Sequence, residues 1–386
     1  MGKRILFLMV IVVVGVGLAY GGRWFLAATD GGKVENGSGA LTEAEILAAR
    51  VEEKLAAMTE EELAGQMLIA GFSGYEPDYY IKRMIQLRHF GGVILFGRNV
   101  ATAEQVGELA QALQAMAAEG ETLPLWICVD EEGGMVRRMQ GIVEAETDPE
   151  DLASRGDADY AQSLADAVGQ ELAALGVNVN FAPVVDIGYP GGIMVPRSLG
   201  EDPEQVGRLG SALIRGYQEA GVTATAKHFP GLGRATTDPH GEPVVIEASR
   251  AELAADLLPF REAIEAGVTM VMVSHALYPA YDETQIASMS REIQEGVLRQ
   301  ELGFDGIIVA DDLEMGAALA TGEAGEVAVA MIRSGADMLL LCHTPEVQAE
   351  AYDAVLAAVA DGSLTRERLE DSVRRILLAK AAAGLW

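Results

Sequence analysis

The ionisable residues of this chain are not scattered at random; several follow short apolar runs directly. Asp130-Glu131-Glu132-Gly133-Gly134 follows one run and Asp186 another. Lys227-His228-Phe229-Pro230-Gly231, Ser274-His275 and Asp311-Asp312 follow three more. One charge after an apolar run is commonly a helix cap or a solvated turn. The repetition points to a shared edge where carboxylates, imidazoles and an ammonium meet. Asp311 is positioned to attack an electrophilic carbon and form a covalent intermediate, or equally to cap the next helix. Asp238 and His240 are two residues apart in a Gly- and Pro-containing stretch. A carboxylate at that spacing can fix the tautomer of an imidazole and raise its basicity; an Asx-turn beside a surface histidine is the alternative. His89 lies upstream of the second apolar run and reads as structural. No HxxxH or HExxH spacing occurs, so no zinc site is indicated. Two cysteines, Cys128 and Cys342, exclude a disulfide framework.

The elements that must carry these residues follow from periodicity. Eight apolar runs occupy 67–72, 92–96, 125–129, 177–185, 223–227, 268–273, 306–309 and 337–342. Amphipathic helical stretches separate them, among them 103–118, 160–174 and 203–219. Continuous apolar strands alternating with helices indicate a parallel sheet covered on its faces. Eight such units predict an α/β fold of the (β/α)8 TIM-like barrel type, forming a single catalytic domain over residues 41–386. An open doubly wound sheet is the alternative, but no GxGxxG or GxxxxGK[ST] loop follows the first strand. In a barrel the strand C-termini form the functional mouth, which is where the ionisable residues fall.

Composition sets the boundaries of function. The chain has 386 residues, is 50% hydrophobic and carries a net charge of −30. That hydrophobicity rules out global disorder. The charge argues against nucleic acid and against a polybasic lipid-binding surface. The N-terminus departs from this pattern. Lys3 and Arg4 precede an uncharged run from Ile5 to Tyr20, with Trp24 shortly after. Residues 1–28 read as a signal or membrane-anchor segment, with the positive flank inside and the remainder outside. Residues 29–40, rich in Gly, read as a linker. The expected location is the cell membrane with an extracytoplasmic domain, or an exported protein if the segment is cleaved.

Seven segments in order carry a family resemblance. They are Gly92-Val93-Ile94-Leu95-Phe96-Gly97-Arg98-Asn99, Val129-Asp130-Glu131-Glu132-Gly133-Gly134 and Phe181-Ala182-Pro183-Val184-Val185-Asp186, then Arg197-Ser198-Leu199-Gly200-Glu201-Asp202-Pro203 and Lys227-His228-Phe229-Pro230-Gly231. Leu302-Gly303-Phe304-Asp305-Gly306 and Asp311-Asp312-Leu313-Glu314-Met315 complete the set. The chain resembles family 3 glycoside hydrolases, specifically the single-domain β-N-acetylhexosaminidases that recycle or remodel peptidoglycan. The resemblance implies Asp311 as nucleophile, His240 as general acid/base and Asp238 as its dyad partner. It implies that Asp130, Arg138, Arg197, Lys227 and His228 hold an N-acetylglucosamine ring, and that neither cofactor nor metal is needed. The implied partner is a glycan substrate. The chain departs from the family at Leu232, Arg234, Pro239, Met135 and Ala310. A phosphorylase with the same dyad and a non-catalytic cell-wall glycan-binding protein are the rival readings.

Overall fold

A computed structural model describes residues 41–238, 241 and 243–386. The segments 1–28 and 29–40 lie outside the described residues, and among those described no helix is long and apolar enough to cross a membrane. A helix at Glu43–Ala57 belongs to an N-terminal unit ending at Met58. It opens on a capping box in which Thr42 and Glu45 satisfy each other's backbone N–H groups.

The compact unit Thr59–Trp386 is a closed barrel of eight parallel strands. The strands are β1 (Leu68–Gly71), β2 (Gly92–Leu95), β3 (Trp126–Val129), β6 (Val179–Asn180), β7 (Thr223–Phe229), β8 (Met270–Val273), β9 (Ile307–Asp312) and β10 (Met338–Leu341). A short antiparallel hairpin, β4 (Glu131–Gly133) and β5 (Val136–Arg137), follows β3. Each barrel strand pairs with its chain neighbour, and β1 closes on β10 through Leu68↔Leu339 to Ala70↔Leu341. Strands β1, β2, β3, β8 and β10 are buried over their full length, as an apolar run without alternation requires. The helices that cover them carry the expected start signals. Pro203–Glu219 begins with Pro at its first position after the Asp202 cap, and Arg250–Glu265 begins with a Ser249/Glu252 capping box.

The eight runs expected from the sequence correspond to the eight barrel strands, and three of their C-terminal ends differ in ways that bear on the mouth. The fourth run was expected to span 177–185, but regular pairing stops at Asn180. Pro183 has no N–H to donate to a ladder. The chain still follows β7, since the carbonyls of Ala182 and Pro183 accept from Thr225 and Lys227. The fifth and seventh strands run further than their apolar stretches, to Phe229 and Asp312. Polar residues that apolarity alone would assign to loops therefore lie on rigid strand backbone.

The strand N-termini form the base of the barrel, and the base is sealed by buried charge. Asp337 accepts from the Ile308 amide, Arg299, Ser372 and Arg375. Lys380, on the helix Arg366–Ala382, is fully buried and donates to Gln66 Oε1 at 2.9 Å and the Gly91 carbonyl at 3.1 Å. Its ammonium lies 5.8 Å from the centre of the Trp126 ring. His89 belongs to this end too. It caps the helix Tyr79–Arg88 in a left-handed conformation and contacts Thr122 at 2.9 Å.

Burial pulls the Lys380 pKa down to about 7, whereas an unfolded lysine titrates near 10.4. Between those values the folded protein binds fewer protons than the unfolded chain, so stability rises with pH. Relative to Lys380→Met, the parent should gain about 2 kcal/mol of unfolding free energy between pH 7 and pH 9. Urea unfolding of both proteins across that range checks this; parallel profiles would mean that Lys380 stays charged in the fold.

Candidate active site

The mouth is built around two interruptions in strand pairing. Between β7 and β8 the register passes from Lys227↔Met272 to Phe229↔Val273, so His228 is an extra residue. Between β10 and β9 it passes from Leu339↔Ala310 to Leu340↔Asp312, so Asp311 is extra. A bulge bends its strand, re-aims side chains and leaves backbone groups without ladder partners. Buried side chains take up those groups here. Asp186 Oδ2 accepts from the His228 amide at 3.2 Å and contacts His228 Nδ1 at 2.7 Å, while its Oδ1 accepts from the Leu232 amide at 2.6 Å. At the second bulge the Asp312 amide donates to Asp311 Oδ1 at 2.8 Å, and His275 Nε2 lies 3.0 Å from the Asp312 carbonyl.

Between the bulges and β3 lies an ion grid. Lys227 Nζ donates to Asp130 Oδ1 at 2.7 Å and to Glu132 Oε1 at 2.6 Å. Arg197 arrives on a short 3-10 turn, Val195–Arg197, and grips Glu132 with two bonds of 2.8 and 2.6 Å. The same guanidinium reaches His228 Nε2 at 3.5 Å. Burial works against the Glu132 carboxylate, but Lys227 and Arg197 overcome it and hold its pKa down to about 2. Burial likewise opposes the Lys227 ammonium, which Asp130 and Glu132 raise above its usual range. Arg197, opposed by burial, is raised by Glu132 in the same way. Glu132, Lys227 and Arg197 are therefore ionised at neutral pH, and the donors are fixed before any ligand arrives.

Arg138 reaches the same region through the β4–β5 hairpin. Gly133 and Gly134 take positive φ at the turn, and a Cβ on Gly133 would fall 2.2 Å from the Thr147 carbonyl. The returning strand brings the Arg138 amide to the Asp130 carbonyl at 3.3 Å and its guanidinium 5.8 Å from the Phe96 ring centre. The structure thus brings Asp130, Arg197, Lys227 and His228 into one bonded cluster, with Arg138 at its edge.

Asp311 sits at the end of β9, partly exposed. Burial would favour its neutral form, but His228, His275, the Asp312 amide and Lys227 hold its pKa below the usual carboxylate value. It is not a helix cap. The following helix, Gly316–Leu319, has no side-chain cap, and the turn is held by Asp312, whose Oδ1 accepts from Glu314 and Cys342. Among the described residues no cation lies within ion-pair distance of Asp311. An ionised carboxylate without a dedicated counter-ion, facing a grid of donors, is equipped to attack an electron-poor carbon.

Asp238 lies on the loop after β7 and is exposed; its carbonyl accepts from the Gly241 amide at 3.2 Å. His240 and Pro239 lie outside the described residues. The base of this loop is held by Arg234, which bonds Asp256 Oδ2 and the Tyr189 hydroxyl at 2.9 Å each. Glu132, Asp186 and His275 belong to the site although the residue types alone gave them no role. Their only sequence signal is a polar residue at the end of a buried apolar run. Among the described residues no three His, Cys, Asp or Glu side chains converge as a metal site.

The mouth gathers fixed donors and acceptors at the strand C-termini of a barrel, where such folds carry their function, and comparison specifies the class. Residues 51–379 match the glycosyl hydrolase family 3 N-terminal domain. A β-hexosaminidase of Stenotrophomonas maltophilia is 36% identical over 296 residues, covering 75% of this chain and 87% of that protein. A solved family 3 β-N-acetylglucosaminidase from Paenibacillus superposes with a TM-score of 0.83 at 42% identity. That match covers 85% of this chain but 63% of the other. The β-N-acetylhexosaminidase of Beutenbergia cavernae superposes at 0.78 with 31% identity, covering 84% of this chain and 99% of that one. The protein is a glycoside hydrolase. It belongs to family 3.

The grid makes a prediction independent of substrate. Removing one partner of a buried ion cluster leaves the others uncompensated, at a cost of about 3–5 kcal/mol. Glu132→Gln should therefore lose on the order of 3 kcal/mol of unfolding free energy. Asp130→Asn, on the more exposed side of Lys227, should lose less. Denaturant unfolding of the two variants gives the order, and the reverse order would place the hub at Asp130.

Proposed function

We propose that this protein is a retaining exo-β-N-acetylglucosaminidase that removes terminal β-linked N-acetylglucosamine from peptidoglycan-derived or related glycans. The observation that carries the reading is Asp311. It is an ionised carboxylate re-aimed by a bulge at a barrel mouth, beside the salt-bridged grid of Asp130, Lys227, Glu132 and Arg197. Sugar hydroxyls both donate and accept, so such a grid suits them. The names of the β-hexosaminidase relatives support the choice of sugar.

In this reading Asp311 attacks the anomeric carbon while protonated His240 donates to the departing glycosidic oxygen. His240 then takes a proton from the water that releases the sugar, and Asp238 stabilises the imidazolium. Asp130, Arg138, Arg197, Lys227 and His228 hold the ring. Residues 1–28 anchor or export the chain, the support being Lys3 and Arg4 before the apolar run.

Three measurements test this. The protein should hydrolyse a chromogenic β-N-acetylglucosaminide in preference to the β-glucoside. Asp311→Ala should abolish turnover while Asp312→Ala retains part of it; the opposite order would shift the nucleophile by one residue. His240→Ala should lose on the order of 10²–10⁴-fold on a sugar aglycone and far less on a dinitrophenyl glycoside, which needs little protonation. Equal losses on both substrates would remove His240 from the acid role.

The location reading has its own test. Protease added to intact spheroplasts should destroy the activity, and protection would place the barrel inside.

A further inference from the structure

His275 is fully buried at the end of β8, next to the strand that carries Asp311. Its two ring nitrogens have different partners. Nε2 lies 3.0 Å from the Asp312 carbonyl, which can only accept, so Nε2 carries the hydrogen. Nδ1 lies 2.8 Å from Ser288 Oγ, and in a neutral ring it must accept from that hydroxyl. Burial lowers the tendency of this imidazole to take a second proton, in keeping with one hydrogen shared between two fixed partners. Ser288 is itself immobilised. It is fully buried on the 3-10 turn Ala287–Met289, its amide donates to the Ser274 carbonyl, and its own carbonyl accepts from Gln294. The chain Ser288–His275–Asp312 therefore ends on the carbonyl of Asp312, the residue directly after the bulged Asp311. The amide of Asp312, on the other side of the same residue, donates to Asp311 Oδ1.

We propose that His275, set in one tautomer by Ser288, is a positioning residue that fixes the bulged backbone and thereby aims the Asp311 carboxylate. It plays at the second bulge the part that Asp186 plays at His228. The proposal rests on the reading of Asp311 as nucleophile. Without the Nε2 donor the Asp312 carbonyl keeps the Met315 amide at 3.0 Å but loses its tie to the residues after β8, and the bulge relaxes. A displacement of ~1 Å at a reacting atom costs about 10²-fold in rate.

The test uses the full chain and a 5-fluoro-N-acetylglucosaminyl fluoride. Asp311 Oδ forms a bond to C1 as the C1–F bond breaks and fluoride leaves. The adduct is followed by intact-protein mass spectrometry and located by peptide mapping. Binding of N-acetylglucosamine is measured alongside as a competitive inhibition constant.

His275→Leu should slow trapping by about 10²-fold with the inhibition constant unchanged. His275→Gln, which retains an N–H donor, should stay within about tenfold of the parent, the worth of one hydrogen bond. Ser288→Ala should slow trapping by a smaller factor, again without a change in binding. Parent-like trapping in both His275→Leu and Ser288→Ala overturns the proposal, as does a proportional loss of binding and trapping. If His275→Leu does not fold, Ser288→Ala decides: slowed trapping supports the proposal and parent-like trapping overturns it. An adduct mapped to a residue other than Asp311 overturns the nucleophile reading, and this proposal with it. An adduct on Asp311 formed at the parent rate in the variants overturns this proposal alone.

Discussion

Buried backbone groups must find partners, and this requirement organises the mouth of the barrel. A parallel ladder satisfies every amide only while its register holds. At His228 and at Asp311 the register slips by one residue, and each slip displaces a functional side chain from the strict in-out alternation of a strand. At these slips Asp186 accepts from the His228 amide, and His275 donates to the Asp312 carbonyl, which also accepts from the Met315 amide. Both lie on the segments that follow the neighbouring strands β6 and β8, and both are buried.

The ion grid is a second consequence of the same arrangement. A chain with a net charge of −30 concentrates two of its cations, Lys227 and Arg197, on Glu132 at the centre of the mouth. Bare burial would disfavour all three charges; mutual contact restores them. What emerges is a set of donors whose orientation is settled before binding, so little conformational freedom remains to be lost when a hydroxylated ligand docks. The carboxylate of Asp311 stands outside this mutual neutralisation, with no ion pair among the described residues.

The strands were legible because each is an apolar run too short for a helix and bounded by amphipathic stretches. The helix Pro203–Glu219 was legible to the residue from its amphipathic pattern. Strand ends were less so. Asp311 and His228 are polar, so an apolarity reading stops before them, whereas the backbone stays in the sheet through Asp312 and Phe229. Asp130, Arg197, Lys227 and His228 were assigned to one site through family likeness, and the structure places them in contact. Glu132, Asp186 and His275 went unassigned because their function is to hold other groups, and spacing along a chain carries no trace of a partner 42 or 65 residues away. The hairpin that returns Arg138 to Asp130 was also missed; two and three residues are too few to show alternation.

The base of the barrel has a consequence in time. Strand β1 pairs with β10, and Lys380 bonds Gln66 across 314 residues of sequence. During synthesis the first strands therefore leave the ribosome long before the segments that complete them exist. Until then β1 presents an open edge, and the carbonyl of Gly91 lacks the Lys380 donor that the helix Arg366–Ala382 brings. Closure is one late event joining the two ends of the fold, and contacts of such long range form slowly. A nascent chain with its early strands waiting is exposed to edge-to-edge association, the hazard that makes large barrels dependent on the cell's holding machinery.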